Sequence, residues 1–143
     1  MKNRVTSFYV ETLILILVFV AVILTLTQVF GMAKKQSEEA KLLTGAVTLA
    51  QNAAEAFPAA ESSEALLKLL DEGGNAFLDN DTVTASYDAD MTPDPDGVLR
   101  VVVERRADSE WTASGTIRVI RGDTGLEIYS LETVAHYLEG YGQ

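Results

Sequence analysis

Residues 12–30, TLILILVFVAVILTLTQVF, form an uncharged run of nineteen, and the apolar stretch that contains them begins at Phe8, so Glu11 stands just inside its start. At about 1.5 Å per residue the run spans roughly 28 Å as a helix, close to the hydrocarbon thickness of a bilayer. The pattern predicts a transmembrane helix over 8–32, preceded by a short basic segment over 1–7 that holds Lys2 and Arg4. A secretory signal competes for this reading, but its apolar region is usually only about 7 to 15 residues long and ends at a small-residue cleavage site. Residues 30–34, FGMAK, offer no such site, and the segment is expected to stay attached as an anchor.

The helical pattern continues past the anchor. Residues 32–57 contain no proline and are rich in Ala, Leu, Glu, Lys and Gln, all strong helix formers. Leu43, Val47, Ala50, Ala54 and Phe57 recur at steps of four, three, four and three, which predicts an apolar stripe down one helical face. A stalk and sheet-covering helix is therefore expected over 33–57, ended by Pro58, with Lys34 and Glu38 at the spacing that pairs charges and Gly31 and Gly45 as weak points. A second, short helix is signalled by Ser62 and Ser63 as N-caps, by Leu66, Leu67, Leu69 and Leu70, and by Gly73-Gly74 as a stop.

From Thr82 the period changes to two. TVTASY, VLRVVVER with Leu99, Val101 and Val103 on one face, WTASGTIRVI with Trp111, Ala113, Gly115, Ile117 and Val119 aligned, and LEIYSL read as four strands. Turns are expected over 107–110 and 121–125, and such short links make neighbouring strands antiparallel. The fold class is α+β: a long transmembrane-plus-stalk helix packed on an antiparallel sheet of about four strands, in a head over 58–143 with a frayed tail over 133–143.

Charge limits the partners. The 143-residue chain has a net charge of −10, and residues 1–32, with two basic groups and one acid, leave −11 to the rest. So acidic a head is unsuited to nucleic acid, which requires clustered Lys and Arg, and the bilayer is met through the anchor. Lys34, Lys35 and Lys41 follow the span, so charge counting favours neither side; the short leader and bulky acidic head make a cytoplasmic amino terminus and an external head the more economical single-pass topology. The absence of cysteine removes disulfides, thiol catalysis and Cys-ligated zinc. His136 is the only histidine, the serines lie in no hydrolase motif and the glycines form no phosphate loop. An enzyme, a cofactor and a small-molecule substrate are not expected.

The acidic stretch DADMTPDPDG, residues 88–97, carries Asp88, Asp90, Asp94 and Asp96, with Asp79 and Asp81 upstream. Closely spaced oxygen ligands are the chemistry of calcium, yet the D-x-D-x-D-G-x5-E pattern is not met, and Pro93, Pro95 and Gly97 equally describe a solvated turn; no metal is expected. Trp111, Tyr87, Tyr129, Tyr137 and Tyr141 could form a recognition patch, but a small head needs them to close its core. Thr25, Thr27 and Gln28 could bond to neighbouring helices, although threonine also bonds its own helix backbone.

Phe8-Tyr9-Val10-Glu11-Thr12-Leu13, followed by an unbroken aliphatic run and a long helix, resembles the amino-terminal segment of type IV pilins and type II secretion pseudopilins. The resemblance covers residues 1–57 by motif and the rest by the order helix, connecting segment, antiparallel sheet. It implies a structural subunit of a bacterial filament or secretion assembly, with other pilin-like subunits and a prepilin peptidase as partners. The family's leader ends in glycine, whereas Thr6 and Ser7 occupy that region here, and Phe8 stands one residue nearer the acid than the family's aromatic does. With Glu11 as the fifth mature residue, cleavage would fall between Thr6 and Ser7, next to Phe8, and Glu11 would assist assembly by meeting the amino terminus of a neighbouring subunit. The alternative is a single-pass anchored binding or accessory module of a cell-envelope complex, in which Glu11 sits at headgroup depth and snorkels to water.

Overall fold

A computed structural model of the chain describes residues 2–138, with Lys2 described by its backbone alone. Helix α1, Lys2–Ala56, passes into a 3-10 turn, Phe57–Ala59; helix α2, Ser63–Leu70, follows, and then strands β1, Ala76–Asp79; β2, Thr82–Tyr87; β3, Leu99–Ser109; β4, Thr112–Arg121; and β5, Glu127–His136. The chain divides into two compact units between Glu39 and Ala40.

The first unit is helical throughout its described residues, and every large apolar side chain from Val5 to Met32 is exposed. The helix is long and apolar enough to cross a membrane. Thr12, Thr25 and Thr27 each donate to the carbonyl four residues back, at 2.9 Å, so within one chain these hydroxyls are satisfied by their own helix. Lys34 and Glu38 stay exposed and form no ion pair with each other.

The second unit is α+β. Its sheet is an antiparallel meander in the order β1-β2-β3-β4-β5, with five strands where the sequence pattern predicts about four. The additional strand, AFLD, is too short to show a period, and it exists because Asn80, at φ 54°, and Asp81 turn it tightly back onto β2. The expected turn over 107–110 shrinks to Glu110-Trp111, with Ser109 opposite Thr112 and a bulge at Asp108. The expected frayed tail begins later than 133: β5 pairs with β4 as far as His136. The tail beyond 138, with Tyr141, lies outside the described residues.

The inward faces of the strands carry Val83, Ala85, Tyr87, Leu99, Val101, Val103, Ala113, Ile117, Val119 and Ala135. Against them pack Leu66 and Leu70 of α2 and a stripe on α1 formed by Ala46, Leu49, Ala50, Ala53 and the following Phe57. This stripe is rotated from the expected one: Ala50 and Phe57 are buried, but Leu43 is 49% exposed and Val47 and Ala54 are only half-buried. Small side chains let the helix backbone approach the sheet, and Gly45 is part of that approach, since a β-carbon there would stand 3.4 Å from Met91 Cγ and 3.6 Å from Leu99 Cδ1. The expected weak point at Gly45 is thus a packing contact. Helix α2 is punctuated as expected: Ser62 Oγ accepts from Ala65 N–H at 3.1 Å, and Gly73 and Gly74 follow it at φ 104° and 92°.

Candidate functional site

Two regions carry the chemistry singled out by the sequence. The first is the start of α1, where Thr6, Ser7, Phe8 and Glu11 are all helical and exposed. The Phe8 and Tyr9 rings meet edge to face, with centroids 6.3 Å apart and planes at 69°. Glu11 forms no ion pair with any described residue of its own chain. A carboxylate at that depth in an apolar segment costs a few kcal/mol at the centre of a bilayer and less near the interface, and such residues usually persist where a partner exists.

The second region is the acidic loop between β2 and β3. Two of its carboxylates, Asp88 and Asp94, accept hydrogen bonds within the turn. Asp88 Oδ1 accepts from the N–H groups of Asp90 and Thr92 at 2.8 and 2.9 Å, and Asp94 Oδ1 accepts from Asp96 N–H at 3.0 Å. Asp90 pairs with Lys41 of α1, and that hydrogen bond, backed by the carboxylate's charge, raises the lysine's pKa. Pro93 forms a bridge to Tyr87, Met91 adopts φ 65°, and a β-carbon on Gly97 would overlap the Tyr87 carbonyl. Among the described residues no three His, Asp or Glu side chains gather as a metal site.

Arg105 is the residue that strand alternation should have singled out, because it continues the inward series Leu99, Val101, Val103 as a charge. Its guanidinium donates to Ala60 O at 2.6 Å, to Glu61 O at 2.9 Å and to Tyr137 Oη at 2.8 Å. It also lies 5.2 Å from the Phe57 ring centroid and 5.6 Å from that of Tyr137, within cation–π range. Tyr137 Oη donates to the same Ala60 carbonyl at 2.8 Å. The carbonyls of Ala60 and Glu61, in the link between the 3-10 turn and α2, are thus held by a side chain from β3 and one following β5.

The remaining candidates are dispersed. Trp111 lies in the β3–β4 turn, 42% exposed, while Tyr87 is buried and Tyr129 half-buried. His136 is exposed, opposite Thr112. A groove of about 510 Å³ over the sheet is lined in part by Thr82, Glu104, Arg106, Ser114, Thr116 and Glu132; Arg118 binds Glu104 but leaves its buried Nε without a partner among the described residues.

No protein-family model, curated protein or solved structure matches the chain.

Proposed function

We propose that the chain is a structural, minor pilin-like or pseudopilin-like subunit of a bacterial type IV filament or type II secretion-like assembly. It assembles through its amino-terminal apolar helix and carries an acidic α+β head. Its work is packing and display, without catalysis. The observation that carries this reading is a helix surface apolar and exposed on every side from Val5 to Met32, interrupted by one charge, Glu11. Such a surface needs lipid or other helices around it, and an acid retained in it needs a partner from another chain. In this reading the amino terminus is cytoplasmic, the helix crosses the cell membrane once and the head lies outside.

The second reading, an anchored accessory module of the cell envelope, is favoured by one feature: Thr6 and Ser7 stand where a processed leader carries glycine. Intact mass and amino-terminal sequencing of the protein from its native membrane separate the two. A chain beginning at Ser7 or Phe8, with or without an added methyl group, supports the filament subunit. A chain retaining Met1 supports the accessory module and refutes processing.

A further inference from the structure

Strand β5 ends the sheet, and no other described segment pairs with its outer edge. The groups that face this edge follow from the register. Tyr137 N–H donates to Trp111 O at 2.8 Å, and Ala135 stands opposite Ala113 and His136 opposite Thr112. In an antiparallel ladder alternate residues bond to the same neighbour, so Tyr129, Leu131, Thr133 and Ala135 bond to β4. Ser130, Glu132, Val134 and His136 turn their N–H and C=O groups outward. The strand is ten residues long and contains neither proline nor lysine, and its charged residues are Glu127 and Glu132. Its one irregularity is at Ile128, which is skipped between the Val119–Tyr129 and Ile120–Glu127 pairs.

The side chains at this edge are also incompletely covered. Tyr129 and Leu131 pack against the core yet are only half-buried, and Val134, on the outer face, is 52% exposed. We infer that a second copy of this chain adds its own β5 here, antiparallel, about a two-fold axis at Leu131. In that register Leu131 meets Leu131, Tyr129 faces Thr133 and Ser130 faces Glu132, and Val134 lies beside the partner's irregular segment at Ile128. The two leucines meet at the axis, and each Glu132 carboxylate lies opposite a hydroxyl. An axis at Glu132 would set two carboxylates against each other, which is destabilising, and an axis at Thr133 would place Val134 against Glu132. A two-fold contact is self-complementary by construction, and β5 meets that condition at Leu131. The inference does not depend on the filament reading, since an anchored accessory module can dimerise through the same edge.

Because the chain has no cysteine, each introduced thiol is unique. The full chain carrying Leu131→Cys is oxidised mildly in native membranes and resolved without reductant. Opposed residues of a non-hydrogen-bonded antiparallel pair have Cα atoms about 4.5 Å apart, within reach of a disulfide. The expected result is a covalent dimer as the main product for Leu131→Cys, little dimer for Tyr129→Cys or Thr133→Cys alone, and recovery of the dimer when those two variants are co-expressed. Light scattering of the detergent-solubilised full chain supplies an independent reading: the wild type is a dimer, and Val134→Lys, at an exposed position, is a monomer with unchanged sheet circular dichroism. A folded Leu131→Cys that stays uncrosslinked, stronger crosslinking at Thr133, a monomeric wild type or a dimer indifferent to Val134→Lys each overturns the inference.

Discussion

The ring of Phe57 occupies the space in which residue 115 would carry a β-carbon: one built there would fall 2.5 Å from Phe57 Cε2 and 2.7 Å from Cζ. Gly115 lies on the inward face of β4, opposite Arg105 of β3, so the glycine makes room for the residue that follows α1. Gly115→Ala should therefore destabilise the head by about 1–3 kcal/mol, the usual cost of overpacking a core. Combining it with Phe57→Leu should cost less than the two single changes added together, because the smaller side chain makes room for the added methyl and the methyl fills part of the space the ring leaves. Urea unfolding of the full chain in detergent, followed by near-ultraviolet circular dichroism, measures both.

Arg105 acts on the same junction. Arg105→Lys keeps the charge but loses the planar fork that serves two carbonyls and a phenol together. A loss of about 1.5–3 kcal/mol is expected from hydrogen bonds made by a charged donor, and a loss of about 1 kcal/mol from Tyr137→Phe. If Arg105→Lys melts at the wild-type temperature, the guanidinium does not hold the junction.

Much of this architecture is legible in the residues, and the misses have physical causes. The cap at Ser62, the inward alternation through Ala113, Gly115, Ile117 and Val119, and the glycine-rich turn before β5 are local signals that packing leaves undisturbed. The helix stripe is rotated from the one the spacing predicts, because close packing on the sheet turns Gly45, Ala46, Leu49 and Ala53 inward beside Ala50 and leaves Leu43 at the surface. Strand β1 is too short for periodicity, and its evidence lies in Asn80, a residue that tolerates the left-handed turn. The Arg105 junction joins residues 57, 60, 61, 105 and 137, a conjunction that only the fold produces. Glu11 is legible in the sequence because one charge in an apolar segment is visible without any fold.

The turn between β2 and β3 gives a test of the acidic loop. Asp88 already serves two backbone N–H groups, so Asp88→Ala should cost about 1 kcal/mol, as the loss of a comparable cap does. Calcium at millimolar concentration should leave the melting temperature of the wild type unchanged. A rise of several degrees, abolished by Asp88→Ala, would show that the loop closes around a cation.

Tyr87 makes the head sensitive to alkali. Burial raises its pKa above the ordinary 10.0, the nearby Glu72 carboxylate adds to the rise, and a hydrogen bond with Asn75 partly offsets it. The folded state thus favours the neutral phenol more strongly than the unfolded chain does. That contribution is fully present below about pH 10, the unfolded tyrosine value, and is lost as pH rises through the folded one. Tyr87→Phe should flatten the fall in stability above pH 10, measured by urea midpoints from pH 8 to 11, and an unchanged slope would assign the alkaline loss to other groups.

Glu11 is the residue on which the proposed assembly turns. Removing its charge lowers the cost of burying the segment, so Glu11→Leu should insert into the membrane at least as well as the wild type, judged by resistance to alkaline carbonate extraction. If the carboxylate meets the amino terminus of a neighbouring subunit, Glu11→Leu should at the same time reduce co-purification with partner subunits or incorporation into a filament. Glu11→Gln, which keeps a hydrogen-bond acceptor without the charge, should fall between the two. The order wild type, Gln, Leu in assembly at equal insertion marks an ionic contact between chains. Equal assembly of all three would show a carboxylate that merely reaches water at the headgroups, and would leave the helix as a tether.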